Sequence, residues 1–276
     1  MIDKQQYLLT RASYNRDTTI VIPTFNRANM LNRCIESCLK QTIKCEVIVC
    51  DHGSTDNTPD VVKQFGDKVI YIRRERDLGP IFCWLEGCLH ATGNYIHLQY
   101  DDDYITPTFI QETLQLMKPS TGFAFTVAHT IDNDNVITSR QNEQMFLNLN
   151  IPLNSSGHVT VEQIEKLVDT DHHWGNISPA CVLLRKSDAI DSLYCGKLPH
   201  QTNNDTYHGA GADMLMTRTC MLRYPNVGIV NKPLAIWADH PGSITNQATK
   251  DSQKRLKLKH TYNTVRQYYY TLKNIK

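Results

Sequence analysis

Two rhythms of apolar residues alternate over the first hundred positions. Thr18-Thr19-Ile20-Val21-Ile22, Cys45-Glu46-Val47-Ile48-Val49-Cys50 and Val69-Ile70-Tyr71-Ile72 are short, nearly continuous apolar runs and read as buried strands. Between the first two, Met30, Leu31, Cys34, Ile35, Cys38 and Leu39 recur at helical spacing. Pro23 predicts the end of the first strand. Thr58-Pro59 predicts a helix start with Thr58 at the cap, running to about Phe65 and closed by Gly66. A further helix is expected from about Ile81 to His90, and a fourth strand, Tyr95-Ile96-His97-Leu98, after the breaker pair Gly93-Asn94. This alternation predicts an α/β protein with an open, mostly parallel sheet flanked by helices.

The remainder is less regular. Pro107 predicts a helix over 108–117, and Gly122 to Ala128 a strand with a turn at 131–135. Residues 142–158 are polar and loop-like. A helix over 159–168, a strand over 179–185 and a helix over 214–222 follow. The stretch from Lys250 to Lys276 carries eight Lys or Arg against one Asp, interleaved with Tyr262, Tyr268, Tyr269 and Tyr270. A basic helix of this kind suits an anionic membrane surface, or packs its aromatic side on the domain. Both remain open.

Composition narrows the class. With 276 residues and 41% hydrophobic content the chain has ample length for a core. A net charge of +1 gives no global field for nucleic acid. No run approaches the roughly 18 apolar residues that span a bilayer, and the start, Met1-Ile2-Asp3-Lys4-Gln5-Gln6, lacks the apolar centre of a signal peptide. The nine cysteines form no Cys-x-x-Cys pair and suit a reducing compartment, so a cytoplasmic location is expected.

Candidate chemistry concentrates where predicted strands end. Ligands of such sheets bind outside the carboxyl ends of the strands. Pro23-Thr24-Phe25-Asn26, Asp51-His52-Gly53-Ser54 and Asp101-Asp102-Asp103 all fall there, which suggests a nucleotide site on one rim. Three adjacent carboxylates repel one another, and a hard cation such as Mg²⁺ or Mn²⁺ removes the conflict. A solvated acidic turn is the alternative.

In order and spacing, Ile20-Val21-Ile22-Pro23-Thr24-Phe25-Asn26-Arg27, Glu46 to Asp56, Ala91 to Ile96 and the Asp triplet resemble family 2 glycosyltransferases of the GT-A fold. The resemblance is close from about Thr18 to Met117. It implies a metal-dependent, inverting enzyme that moves one sugar from a nucleotide-sugar, UDP-linked by preference, to a hydroxyl on a glycan or lipid-linked acceptor, as in bacterial surface-glycan assembly. Residues 1–120 would then form the nucleotide-sugar-binding half, 121–248 the acceptor-binding and catalytic half of the same domain, and 249–276 a basic helical tail in possible contact with the inner membrane face.

Residue roles follow from the same resemblance. Pro23, Thr24 and Phe25 would line base and ribose, with Arg27 nearby. Asp51 would touch the ligand or cap its own turn. His52 stands where the family has an acid accepting the base imide N–H, and a neutral imidazole also accepts. Arg73 or Arg76 would reach the nucleotide. Asp103 is the expected metal ligand, with Asp101 or Asp102 on ribose or on the metal through water, and His240 near the diphosphate or metal. Asp213 would be the base, although Ala212 replaces the usual Glu, and Asp205 competes for the role. The cluster His172-His173-Trp174 suggests a sugar platform or a loop anchor. A nucleotidyltransferase and a non-catalytic nucleotide-sugar scaffold are the rival readings.

Overall fold

The computed structural model describes residues 17–170, 177–193, 211–243 and 250–275. The His172-His173-Trp174 cluster and Asp205 lie outside the described residues. Strands β1 (Thr18–Thr24), β2 (Glu46–Asp51), β3 (Ile70–Arg73) and β4 (Tyr95–Leu98) pair in parallel in the order β3-β2-β1-β4. Helices α1 (Ala28–Leu39), α2 (Thr58–Lys63) and α3 (Pro80–His90) connect them. Every residue of β1 and β2 is buried, as expected of strands covered on both faces. Helix α1 buries Leu31, Cys34, Ile35 and Cys38, one stripe at helical spacing.

Pro23 does not end β1; it pairs with Cys50 inside the sheet. Val21 offers its carbonyl to Gln99 on the β4 side, and Thr24 offers its own to His52 on the β2 side. By alternation Pro23 faces the β4 side, where pairing has already stopped at Leu98. Its missing N–H therefore leaves no ladder bond unmade. Thr58 is not the cap of α2 either, since Asn57 holds that position.

After the two-residue strand β5 (Tyr104–Ile105) and helix α4 (Phe109–Leu114), the sheet continues through β6 (Thr121–Ile131). A short strand, β9 (Val182–Arg185), is inserted antiparallel between β4 and β6. β10 (Asn226–Ala238) pairs in parallel with β6, and β5 closes the edge antiparallel to β10. The polar segment expected to be a loop is structured. After β7 (Ile137–Gln141), which pairs with β6, it holds helix α5 (Glu143–Asn148) and runs into β8 (Ser156–Thr160), paired with β10. Met145 and Phe146 of α5 are buried, with Phe146 edge-on to Phe125 at 4.8 Å. Helices α6 (Val161–Thr170), α7 (Lys186–Ser192), α8 (Ala212–Arg223) and α9 (Ser252–Ile275) complete the described chain.

Because β1, β2, β3, β4, β6 and β10 run the same way, their carboxyl ends open on one rim. The turn before β4 is pinned from below. Glu46, fully buried, accepts from the Thr19 hydroxyl at 2.7 Å, the Thr92 N–H at 2.8 Å and the Thr92 hydroxyl at 2.9 Å. A buried carboxylate with three donors is satisfied, and it locks β1, β2 and the β4 turn together. No described helix is long and apolar enough to cross a membrane.

Candidate active site

The loop after β1 and the loop after β2 are built as one piece. Asn26 takes a left-handed backbone, φ 55°, and its side-chain oxygen accepts from the Thr55 N–H at 2.8 Å. The Asn26 N–H donates back to Ser54 Oγ at 2.9 Å. Asp51 is fully enclosed. Its Oδ1 accepts from the Gly53 and Ser54 N–H groups at 3.1 and 2.8 Å, and its Oδ2 from Tyr71 at 2.7 Å. Of the two roles open to Asp51 the structure shows the turn cap. Arg73 is drawn into the same support, 3.3 Å from Asp51 Oδ2 and donating to the Ser54 carbonyl at 2.9 Å. Arg76 is exposed, with its backbone against Gly53, where an added Cβ would meet the Arg76 carbonyl carbon at 2.9 Å.

His52 stacks on Phe25, with ring centroids 4.8 Å apart and planes 29° from parallel. Its Nδ1 lies 2.6 Å from Asp77 Oδ1, which also accepts the Gly79 N–H at 2.6 Å. A carboxylate oxygen offers no proton, so the ring carries hydrogen on Nδ1. In the neutral ring this leaves the Nε2 lone pair open, a tautomer set by the residue behind it. Asp77 is thus a site residue that the sequence alone did not single out.

The Asp triplet forms the middle of the rim. Asp103 is buried and its Oδ1 accepts the Ala238 N–H of β10 at 3.0 Å. Burial, then the charge of Asp102, hold its carboxyl well above the usual range. The same two causes push Asp101 up to about 7, against lowering from Thr24, Arg27 and the Phe25 backbone. Asp102 turns toward the loop after β10. Its Oδ2 lies 3.1 Å from His240 Nε2 and 3.8 Å from Arg27 Nη1, and the same Arg27 nitrogen is 3.4 Å from His240 Nε2. Arg27 also donates to the Gly242 carbonyl at 3.3 Å. Arg27, Asp102 and His240, separated by up to 213 residues, therefore meet at one point. The buried Thr24 hydroxyl lies beside Asp101, close enough to favour that carboxyl's charged form.

Asp213 sits in the first turn of α8, also buried. Its Oδ1 accepts from the Gly211 and Met214 N–H groups at 2.8 and 2.7 Å, and its Oδ2 from the Tyr262 hydroxyl of α9 at 2.8 Å. Tyr100 links this group to the triplet. Its phenol is held above the usual range by burial first, then by the charge of Asp213, by Tyr262, and by Asp103 and Asp102. At Gly211, just before α8, the close neighbours are Thr261 and Val265 of α9.

Raised, buried carboxylates and a hard-oxygen donor set fit a divalent cation. Among the described residues no three His, Cys, Asp or Glu side chains form a self-contained metal cage. A cation at Asp103 would need oxygen atoms from its ligand, and mixed coordination by carboxylates and phosphates suits Mg²⁺ or Mn²⁺.

Comparisons with known proteins bear on the family and the fold. Residues 19–190 match the family model "Glycosyl transferase family 2". The chondroitin synthase of Pasteurella multocida (strain Pm70) is 35% identical over 100 residues, 35% of this chain and 10% of that protein. The Escherichia coli protein WfaP, named UDP-Glc:alpha-D-GlcNAc-diphosphoundecaprenol beta-1,3-glucosyltransferase, is 31% identical over 122 residues, 44% of this chain and 49% of that protein. The matched region thus spans about half the length of these curated relatives or less. Among solved structures, S. aureus TarS 1-349 superposes with a TM-score of 0.60 at 16% identity, covering 87% of this chain and 65% of that one. Its complex with UDP-GlcNAc gives 0.58 at 18% identity, covering 82% and 60%. These neighbours share the GT-A-type fold, with its curled, mostly parallel sheet. The family model covers more than half of the sequence, and the chain belongs to glycosyl transferase family 2.

Proposed function

We propose that this chain transfers a single sugar from a UDP-sugar to a hydroxyl acceptor by one inverting displacement. The observation that supports it best is the meeting of Arg27, Asp102 and His240 beside the buried Asp103 on one rim. Phe25 offers a ring to the base, and His52 Nε2 accepts the imide N–H that uracil presents. The buried Thr24 hydroxyl, beside Asp101, stands on the ribose side. Arg27 supplies positive charge toward the diphosphate. Mn²⁺ or Mg²⁺ held by Asp103, with Asp101 and His240 beside it, would supply Lewis-acid stabilisation to the departing diphosphate. Asp213 takes the acceptor proton as the new C–O bond forms, and the bond to UDP breaks on the opposite face of the anomeric carbon.

UDP-GlcNAc in the TarS complex supports a UDP-sugar donor, and the name of WfaP supports a lipid-linked acceptor. Arg255, Lys257 and Lys259 are exposed near the start of α9, which supports work beside an anionic membrane on the cytoplasmic side, in assembly of a bacterial surface glycan. Tyr269, farther along the same helix, is buried in the domain. A non-catalytic scaffold draws support from Asp213, since both its oxygens are engaged by protein donors.

UDP release from a panel of UDP-sugars, with and without Mn²⁺, separates the readings. Turnover that needs Mn²⁺ and is lost in Asp213→Asn supports transfer. Tight UDP-sugar binding with no turnover favours the scaffold, and pyrophosphate release from a nucleoside triphosphate favours a nucleotidyltransferase.

A further inference from the structure

Helix α9 reaches the candidate base from outside the family-matched segment, which ends at residue 190. It lies against the start of α8. Gly211, the N-cap of α8, has φ 88°, and a Cβ there would meet Thr261 Cγ2 at 2.9 Å and Val265 Cγ2 at 3.0 Å. Only glycine takes that conformation without strain and leaves this space. Further along, Tyr269 donates to Glu165 of α6, Lys273 lies 2.5 Å from the same carboxylate, and Arg218 of α8 lies over the Tyr269 ring at 5.0 Å. The far half of α9 is thus fastened to both α6 and α8. Its near half places one hydroxyl on Asp213.

From this geometry we infer that Tyr262 is a positioning residue for the catalytic base, and that α9 completes the active site. This rests on Asp213 acting as the base. The reasoning is local. Two backbone N–H groups fix Oδ1, but one oxygen fixed at its own helix still lets the carboxyl plane swing. The Tyr262 bond at 2.8 Å to Oδ2 removes that freedom. With Oδ1 held by backbone and Oδ2 by the phenol, the carboxyl plane keeps a constant direction, and fixed geometry of this kind is what lowers a barrier.

The test uses the full chain with UDP-GlcNAc and Mn²⁺, water serving as acceptor and UDP release as readout. Tyr262→Phe keeps the ring and removes one hydroxyl; it is expected to lower kcat about ten-fold with the donor KM unchanged, the size of one hydrogen bond to a charged group. In an Asp213→Asn background the same change should cost nothing further, because the residue acts through that carboxylate. Thermal melts of the four proteins should show non-additive losses, reporting the contact without any turnover. An unchanged kcat, a raised KM with kcat intact, or an equal loss in both backgrounds overturns the inference alone. A wild type that binds UDP-GlcNAc yet releases no UDP overturns the transferase reading, and this inference with it.

Discussion

Single side chains decide whether the rim can do chemistry. If Asp213 is the base, Asp213→Asn should reduce UDP-sugar turnover by about 10²–10⁴-fold, the range for a positioned general base, with donor affinity little changed. His52 makes a separate prediction at the nucleotide end. Asp77→Asn can present its amide N–H to the ring and reverse the tautomer, leaving Nε2 a donor facing the imide donor of uracil. Donor affinity should fall about ten-fold or more by titration calorimetry, and an unchanged affinity would remove His52 from base recognition. The Asp triplet stood out at the end of a predicted strand, and Arg27 and Asp213 through the family resemblance. Asp77 and Tyr262 were hidden, since each acts through a partner 25 or 49 residues away and no spacing rule announces such a pairing.

At the scale of elements, Gly87 carries a clear prediction. Inside a helix, Gly→Ala ordinarily stabilises by about 1 kcal/mol. Here the new Cβ would fall 2.3 Å from Val21 Cγ1 and 2.9 Å from Cys50 Sγ, both on strands under α3. Overpacking costs about 1–3 kcal/mol, so Gly87→Ala should destabilise on balance, read as a lower urea midpoint. A raised midpoint would mean that α3 sits farther from β1 and β2. The first four strands were legible because buried parallel strands are written as unbroken apolar runs. β7, α5 and β8 were not, because much of their surface is polar and exposed and only positions such as Met145, Phe146 and Val159 turn inward. Pro23 misled for a physical reason, as a proline ends a strand only where its N–H is needed.

Across the whole molecule the same packing sets a response to pH. His97 is enclosed, its Nδ1 2.8 Å from the Val182 carbonyl and its Nε2 2.9 Å from Gln99 Oε1, with Phe109 4.4 Å away. Burial holds its imidazole below the ordinary range, against raising by those two contacts. The unfolded chain takes up a proton near pH 6.5 that the fold resists, so this contribution is present above that pH and is lost as pH falls through it. Subtracting the stability curve of His97→Gln from that of the wild type should isolate an acid-side loss, and a flat difference would contradict it. The open α/β architecture was visible in the alternation of patterns. The antiparallel insertion of β9 between β4 and β6 was not, since strand order depends on which partner is met in space.

One structure bears most directly on the chemistry, that of the protein crystallised with UDP-GlcNAc and Mn²⁺. The expected density shows the ion between Asp103 and the diphosphate, the uracil imide within hydrogen-bond reach of His52 Nε2, and the anomeric carbon turned toward Asp213 beside Tyr262. A nucleotide bound away from this rim, or three aspartates facing water with no ion among them, would contradict it.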